Sequence, residues 1–257
     1  MAPMFRLDGK TAFISAARGH LGQAMTRALA GAGAHVIVNG RDAALLSRYA
    51  DALRGEGFSA EAAAFDVLDI PALTAFMASR PRLDVLVNNA VAMQVKSFDV
   101  LTAEDFSRTY ESSVVAAFEA ARAALPALKQ AVAASGDASI INIASMYGTV
   151  APDGRSPADR AQQRPFHSGP AKAGLIQLTR HLAAEFGPHG IRVNAIAPGP
   201  FPAAISNPAF GERLAGKTML GRLGKAEEIG GPLLFLAATC STYVTGTTLA
   251  VDGGWSA

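Results

Sequence analysis

Short apolar runs alternate with longer helix-like segments along almost the whole chain, and this alternation constrains the fold more than any other feature. Strands separated by helices pair in parallel through right-handed crossovers. The sequence therefore predicts an α/β fold with one doubly wound parallel sheet of about seven strands and helices on both faces. The predicted strands are 11–16, 35–38, 59–65, 83–87, 139–143, 191–196 and 249–251. The predicted helices are 21–32, 42–53, 69–79, 102–133, 170–186 and 226–238.

The bulk composition agrees with this prediction and narrows the class of protein. A length of 257 residues suits a single domain covering 1–257. Half of the residues are hydrophobic and only 7% are aromatic, so we expect an aliphatic core between helices and sheet. The net charge of +2 comes from dispersed Lys and Arg and does not indicate nucleic acid or an anionic membrane surface. The single Cys240 excludes an internal disulfide and a cysteine-rich metal site.

The first residues contain charges and lack the apolar segment of a signal peptide. No uninterrupted apolar run reaches transmembrane length. We therefore expect a cytoplasmic protein that acts on a small-molecule substrate, with no metal, no nucleic-acid partner and no membrane partner.

Two segments, 149–167 and 198–217, interrupt the alternation and are rich in Pro, Gly and charge. Both follow strand ends, where ligands bind in doubly wound sheets, so we predict that they are loops covering a site. The first segment carries three arginines that can clamp a carboxylate or phosphate, or that are balanced by its two aspartates in a solvated loop. These arginines are Arg155, Arg160 and Arg164.

The turn after the first predicted strand has the layout of a pyrophosphate site. It reads Ser15-Ala16-Ala17-Arg18-Gly19-His20-Leu21-Gly22, a strand end followed by a glycine-bearing turn and a helix start. Backbone N–H groups and the helix dipole face an anion in such a turn, as in a Rossmann-type sheet. Alone the signal is weak, since many strand-to-helix turns contain glycine. The predicted cofactor contacts here are Ser15, Ala17, Arg18, Gly19, His20 and Leu21.

The second strand ends in Val38-Asn39-Gly40-Arg41, without the acidic residue that binds the ribose hydroxyls of NAD. The planar guanidinium of Arg41 can pair with a 2′-phosphate, and Arg18 can add charge from the glycine turn. The alternative is that both arginines are simply solvated. We therefore predict NADP(H) as the cofactor in preference to NAD(H).

Further motifs follow in a recognisable order: 86–90 (LVNNA), 141–145 (INIAS), 191–199 (IRVNAIAPG), 221–224 (GRLG), 244–246 (VTG) and 251–255 (VDGGW). Together they cover nearly the whole chain, which resembles the short-chain dehydrogenase/reductase family. Residues 145–148 and the long segment after them are similar to a branch with gluconate 5-dehydrogenase-like enzymes. The resemblance implies cofactor contacts by Asp66, Val67, Asn89, Ala90, Lys172, Pro198 and Gly199.

The resemblance also implies an acid/base site that this chain keeps only in part. Ser145 and Lys172 match the serine and lysine of the family. Ser168 stands where the family has its tyrosine, and Ser113 stands at the asparagine position. The threonine expected after the Pro-Gly turn corresponds to Ala203.

Replacing the tyrosine by Ser168 removes a phenol whose pKa, ~10 in water, a nearby ammonium can bring towards working pH. General acid/base help of this kind is worth about 10²–10⁴-fold. Substitute donors near in sequence are His167, then Tyr147 and Tyr110, with Lys172 itself if a dry pocket depresses its pKa. Each has a plain alternative, since a loop histidine is usually solvated and a tyrosine usually packs.

Three functions remain open on the sequence alone. The first is an atypical NADP(H)-dependent oxidoreductase on a small hydroxy or keto substrate, sugar-acid-like or anionic, with a substitute for the tyrosine. The second is a non-redox isomerase, dehydratase or cyclase in the same pocket. The third is a catalytically silent binding protein. Analogy with the family predicts a homotetramer or homodimer formed through the fourth and fifth helices.

Overall fold

The computed structural model of the protein describes residues 3–152, 166–205 and 207–257. Its centre is one parallel sheet of seven strands in the order β3-β2-β1-β4-β5-β6-β7. From β1 the chain adds β2 and β3 towards one edge of the sheet. It then returns to β4, beside β1, and adds β5, β6 and β7 towards the other edge, so the sheet is doubly wound as predicted. The strands are β1 Thr11–Ile14, β2 His35–Gly40, β3 Ala60–Ala64, β4 Val85–Asn88, β5 Ala138–Ile143, β6 Ile191–Pro198 and β7 Thr248–Val251.

Helices cover both faces of the sheet. The α-helices of the described residues are α1 His20–Gly31, α2 Ala43–Gly55, α3 Ile70–Ala78, α4 Ala103–Tyr110, α5 Ala116–Ser135, α6 Ser168–Phe186, α7 Pro208–Ala215 and α8 Gly230–Ala237. Buried side chains of α1, α2 and α8 form one core layer with the sheet, and those of α3, α5 and α6 form the other. The central strands β4, β5 and β6 are buried along their whole length, whereas the edge strands β3 and β7 are partly exposed. None of the described helices is long and apolar enough to cross a membrane.

The predicted helix 102–133 is divided in the structure. Thr102 caps α4 through its side chain, and the helix passes into a π-helical segment, Glu111–Val115, before α5 continues to Ser135. Such π segments widen a helix by one residue and are frequent at functional sites. Ser113 lies in the middle of this segment, and the prediction of one regular helix is therefore corrected there.

The segment 198–217 is only partly a loop. It contains α7, which the sequence prediction missed, and Asn207 caps this helix by accepting a hydrogen bond from the N–H of Phe210. Pro208 follows at the first helical position, where its missing N–H costs little. Of the other predicted loop, 149–167, residues 153–165 lie outside the described residues, and so do its three arginines.

A buried ion pair joins the ends of β5 and β6 opposite the site. Arg192 donates to both carboxylate oxygens of Asp137 at 2.8 and 3.1 Å, and also to Leu236 O and Ser241 Oγ. Both charged side chains are about 95% buried. The guanidinium therefore ties the sheet to the segment after α8, while the strand ends at the opposite edge remain available to a ligand.

Candidate active site

In the turn after β1, the backbone of α1 lies close to the backbone of Ala16, and Ala16 itself has a strained conformation. Ala16 has a φ of 49°, the one positive φ of a non-glycine residue in the described parts of the chain. A left-handed conformation costs an L-residue about 1–2 kcal/mol. A Cβ added to Gly22 would overlap the carbonyl oxygen of Ala16, so the start of α1 can lie against the turn only with glycine there. The turn therefore has the packing of a dinucleotide-binding glycine loop.

Of the other residues predicted to contact the cofactor in this turn, some line surface pockets and others are packed in the core. Arg18 and Gly19 line a pocket beside β2, and Gly19 donates its N–H to Ala16 O at 3.0 Å. Ala17 is buried and donates its N–H to Asn39 O at 3.0 Å. His20 begins α1 and its side chain lines a separate surface groove, while Leu21 packs on the core. Their predicted contacts to a pyrophosphate would therefore involve the helix N-terminus rather than these side chains.

Ser15 connects the glycine turn to the end of β4. Its hydroxyl oxygen accepts hydrogen bonds from the backbone N–H groups of Asn89 and Ala90, at 2.9 and 3.0 Å. The Asn89 side-chain amide donates in return to Ser15 O and Ala16 O. This reciprocal set fixes the two strand ends at the switch point of the sheet, where ligands of doubly wound folds bind. The predicted residues Ser15, Asn89 and Ala90 are thus brought together.

Two arginines face one pocket at the end of β2. Arg18 and Arg41 both line a space of about 510 Å³ together with Gly40 and Asp42. The guanidinium of Arg41 is 73% exposed and lies 4.0 Å from the carboxylate of Asp66. Asp42, the nearest acid in sequence, caps α2 by accepting from Leu45 N at 2.9 Å, as predicted. The pocket is therefore cationic where the ribose of a dinucleotide would end.

A cleft of about 380 Å³ continues from Arg41 along the carboxyl edge of the sheet. Asp66 and Val67, predicted to contact adenine, line its outer part. Residues 90–94, after β4, form one wall, and Ser112 of the π segment and His167 form the other. The predicted cofactor residues of three successive strand ends therefore share one continuous cleft.

Ser145 begins a 3₁₀ turn, Met146–Gly148, that lies directly on α6. The hydroxyl oxygen of Ser145 accepts a hydrogen bond from the backbone N–H of Tyr147 at 3.2 Å. Two glycines permit the contact: a Cβ on Gly148 would lie 2.9 Å from the Lys172 carbonyl carbon, and one on Gly169 would lie 3.0 Å from Tyr147 O. The serine turn and the lysine helix are thus held against each other through backbone rather than through long side chains.

Lys172 lies one turn into α6 and is buried, with 6% of its surface exposed. Its Nζ donates to the carbonyl oxygen of Ile143, at 2.7 Å, two residues before Ser145. Burial without a carboxylate partner disfavours the ammonium and lowers the pKa of Lys172 to about 8. The predicted catalytic residues Ser145 and Lys172 therefore both lie at the end of β5.

The positions of the family tyrosine and asparagine are both occupied by buried serines. Ser168 is the first residue of α6, two residues before the predicted range 170–186, and 8% of its surface is exposed. Ser113 is 2% exposed, and its hydroxyl has no hydrogen-bond partner in the described structure. Neither side chain has the reach of the residue it replaces.

The substitute donors differ in their surroundings. Tyr147 packs edge-on against Trp255, with ring centroids 6.5 Å apart. Tyr110 is half exposed and lies over Gly174 of α6. His167 is 1% exposed and lines the cleft, and neither of its ring nitrogens has a partner among the residues described. Burial lowers its pKa below the usual value for histidine.

The Pro198-Gly199 turn closes the site on the side of β7. Gly199 donates its N–H to Val251 O at 3.0 Å, and a Cβ at this position would overlap Asp252. Ala203, at the expected threonine position, is exposed. This part of the site keeps its backbone geometry and lacks the hydroxyl.

Sequence reasoning missed a set of amides and hydroxyls behind the cleft. Asn88 donates to Asn142 Oδ1, and Asn142 donates to Thr179 Oγ1, both at 2.9 Å. Asn39 donates to the carbonyl oxygens of Ala63 and Phe65. The signal was present, because an asparagine inside a buried apolar strand requires a polar partner. These bonds fix the strand ends from which the cleft residues project.

The residues present fit a dinucleotide. Gly22 lets α1 pack against the turn and Gly199 lets the Pro-Gly turn pack against Asp252, the N-terminus of α1 faces the turn, and a pocket with two arginines lies beyond it. Fold and site thus define a dinucleotide-binding α/β domain of the Rossmann type.

The comparisons with known proteins agree with this class. A family model described as enoyl-(acyl carrier protein) reductase matches residues 16–256. The galactitol 2-dehydrogenase (L-tagatose-forming) of Cereibacter sphaeroides is 35% identical over 263 residues, which cover 98% of this chain and 97% of the relative. The chain belongs to the short-chain dehydrogenase/reductase family of oxidoreductases.

Solved structures of relatives contain a nicotinamide cofactor. A gluconate 5-dehydrogenase from Burkholderia cenocepacia in complex with NADP and tartrate matches with a TM-score of 0.85 and 31% identity, covering 98% of this chain and 97% of that one. The RhlG/NADP active-site complex of Pseudomonas aeruginosa matches with a TM-score of 0.90 and 29% identity over 100% of both chains. The predicted likeness to gluconate 5-dehydrogenases is therefore confirmed.

Proposed function

We propose that the protein is an NADP(H)-dependent oxidoreductase that interconverts a secondary alcohol and a ketone on a small hydroxylated substrate. The observation that carries this proposal is the pocket shared by Arg18 and Arg41 at the end of β2. Two guanidinium groups suit a 2′-phosphate, which pairs with a planar fork bidentately, and Asp42, the acid in the same pocket, is used in capping α2. The NADP present in the two structural neighbours supports the same choice of cofactor.

We assign the residues of the site to cofactor binding and to catalysis. The glycine turn and the N-terminus of α1 hold the pyrophosphate, and Asp66 and Val67 contact the adenine side. Lys172 faces the ribose nearest the nicotinamide, and Ser145 orients the substrate oxygen. When bound, the nicotinamide supplies the hydride acceptor or donor. A proton must also be exchanged, and Ser168 is too weak an acid to do so.

We propose a polyol or sugar acid as the substrate class. The named relatives act on galactitol or gluconate, and one neighbour holds tartrate, which is a hydroxy acid. An anionic or many-hydroxylated substrate needs polar partners, and Ser145, before the 3₁₀ turn, and His167, before α6, are polar side chains that could supply them.

The second candidate is a non-redox enzyme in the same cleft. Its support is the pair Ser168 and Ser113, which stand where the family has its proton-transfer tyrosine and asparagine. Turnover of a substrate without any change in the absorbance of the reduced nicotinamide would favour this candidate. A catalytically silent protein would bind neither cofactor and convert nothing.

Cofactor titrations test the proposal. Intrinsic or nucleotide fluorescence is followed while NADPH or NADH is added to the wild type, to Arg41→Ala and to Arg18→Ala. We expect NADPH to bind more tightly, and each variant to lose roughly tenfold of NADPH affinity, about 1.4 kcal/mol, with NADH unaffected. Arg48→Ala, an exposed residue on α2 outside the pocket, is the control. Equal affinities would contradict the NADP preference, and failure to bind either would contradict the oxidoreductase.

We further propose that copies of the chain associate through α4, α5 and α6 as a homotetramer or homodimer. The support is the exposure of apolar side chains on α4, the π segment and α5, which include Tyr110, Val115 and Phe118. Light scattering coupled to gel filtration gives the mass directly. A monomer at micromolar concentration would contradict this proposal.

A further inference from the structure

We propose that the imidazole of His167 exchanges the substrate hydroxyl proton, in the role for which Ser168 is unsuited. The inference rests on the proposed oxidoreductase function and names its acid/base group. Its basis is the place of the side chain: His167 immediately precedes Ser168 and α6, and it lines the same cleft as the residues that follow β4.

The hydrogen-bonding state of His167 is unusual for a buried histidine. Only 1% of its surface is exposed, and both Nδ1 and Nε2 are without a partner in the described structure. A buried polar group without a partner costs about 1–3 kcal/mol. Such groups are expected where a ligand completes the bonding. The cleft that His167 lines is the place from which that ligand would come.

The ring is positioned by aromatic neighbours rather than by hydrogen bonds. Phe106 of α4 lies 6.0 Å from the imidazole, centroid to centroid, and Phe106 in turn contacts Phe166 at 6.1 Å. These contacts leave the nitrogens unused while fixing the ring plane. An imidazole with unpaired nitrogens beside the cleft has the hydrogen-bonding capacity that a general base needs.

Charged groups around His167 set its protonation. Asp105 on α4 favours the imidazolium, but it is paired with Lys96 Nζ at 2.7 Å, and Lys96 opposes the imidazolium. Arg108 of α4 lines the same cleft, with Arg41 and Asp66 at its far end. Burial is the largest influence and lowers the pKa of His167. The ring is therefore neutral at neutral pH and ready to accept a proton.

The step balances as follows for alcohol oxidation. The substrate O–H proton passes to an unprotonated nitrogen of His167, and the oxygen electron pair forms the second C–O bond. The hydrogen on the same carbon leaves with its electron pair as a hydride to oxidised nicotinamide, the oxidant that the proposed function supplies. The imidazolium then releases its proton to water. Ketone reduction is the reverse, with the imidazolium as donor.

Kinetics of His167→Gln and of His167→Phe test the role, with NADPH affinity measured beside them. We expect kcat to fall by about 10²–10⁴-fold while the Kd for NADPH is unchanged. For the wild type, kcat/KM for alcohol oxidation falls at acid pH with an apparent pKa below that of ordinary histidine, and this limb is missing in both variants. His181→Gln, an exposed histidine on the same helix, is the control.

A second experiment tests whether the imidazole replaces the phenol. Ser168→Tyr in the His167→Gln background restores the Tyr-x-x-x-Lys pair with Lys172, and we expect it to recover activity with an alkaline limb in the pH profile. A merely structural role for His167 would give no such rescue. No recovery in a double variant that still binds NADPH would count against the replacement.

A measurement without turnover completes the test. Histidine ring signals in the nuclear magnetic resonance spectrum of the free protein are assigned with His167→Gln and titrated with acid. We expect the His167 signal to titrate below ~6.5, the ordinary value. An ordinary or raised value together with full activity of His167→Gln overturns the role of His167 and leaves the proposed function intact. Failure of the wild type to bind or oxidise NADPH overturns the proposed function itself.

Discussion

The ammonium of Lys172 donates to the carbonyl oxygen of Ile143 at 2.7 Å, which anchors α6 to the end of β5. No carboxylate pairs with this buried cation among the hydrogen bonds and ion pairs of the described residues. The bond explains how Lys172 and the nearby Ser145 come together without a tyrosine between them. It also makes the lysine a titrating group with a measurable effect on stability.

Stability should rise with pH because of Lys172. Its pKa is lowered from 10.5 to about 8 by burial. At pH values below the pKa of Lys172 in the folded protein, the lysine is protonated in both the folded and the unfolded state. The folded state then carries the full free-energy cost of the buried ammonium. Between the two values only the unfolded state stays protonated, so stability increases with pH, by up to about 3 kcal/mol. Urea unfolding at several pH values measures this gain relative to Lys172→Met, with the exposed Lys129→Met as control. A pH-independent difference between wild type and Lys172→Met would contradict it.

Substituting alanine should lower the free energy of unfolding at Gly22 and raise it at Gly31. Gly22→Ala places a methyl group on the Ala16 carbonyl oxygen, so we expect a loss of at least about 2 kcal/mol in the free energy of unfolding and weak NADPH binding. Gly31→Ala, in the same helix with open space around it, should stabilise by about 0.5–1 kcal/mol. Chemical denaturation and the fluorescence titration check both. Equal effects would show that the turn does not pack as described.

Ala16→Gly should be tolerated or beneficial. The left-handed φ of Ala16 strains alanine, and glycine removes that strain while adding entropy to the unfolded chain. We expect a net gain of about 0–1 kcal/mol, and NADPH affinity at least equal to that of the wild type. Ala75→Gly, an exposed position inside α3, is the matched control and should cost about 1 kcal/mol. A loss at position 16 as large as at position 75 would argue against a left-handed turn.

Removing Asp137 should be severely destabilising. Asp137→Ala leaves the guanidinium of Arg192 buried without its carboxylate, and such a change costs about 3–5 kcal/mol. Glu119→Ala breaks the exposed pair with Arg122 and should cost less than about 1 kcal/mol. Thermal unfolding distinguishes the two. Similar melting temperatures for both variants would contradict the buried position of the pair.

The sequence was sufficient for the sheet because most of its strands are largely apolar runs buried on both faces, and all seven predicted strands are present. The boundaries were less predictable: β1 ends at Ile14 rather than 16, because Ser15 is used by Asn89 and Ala90. The π segment around Ser113 depends on tertiary packing and carries no local signal. The helix α7 was missed because proline and glycine surround it, although Asn207-Pro208 is a helix start.

For the site, Ser145 and Lys172, which the resemblance implies as catalytic residues, both lie at the end of β5, and the resemblance did not indicate the bond from Lys172 to Ile143. His167 was expected to be solvated if it had no role, as loop histidines usually are. In the structure it is buried and contacts Phe106 of α4, which is distant in the chain. The cytoplasmic location, the oligomeric state and the individual roles of the site residues stay predictions.

The most direct measurement is hydride transfer from NADPH labelled with deuterium at the nicotinamide. The protein is mixed with the labelled cofactor and a panel of keto sugar acids and ketoses, and the products are analysed by mass spectrometry. With deuterium at both C4 positions of the nicotinamide, we expect one deuterium in the product alcohol for each NADPH oxidised. Conversion of a substrate with unlabelled product and unchanged NADPH would contradict it.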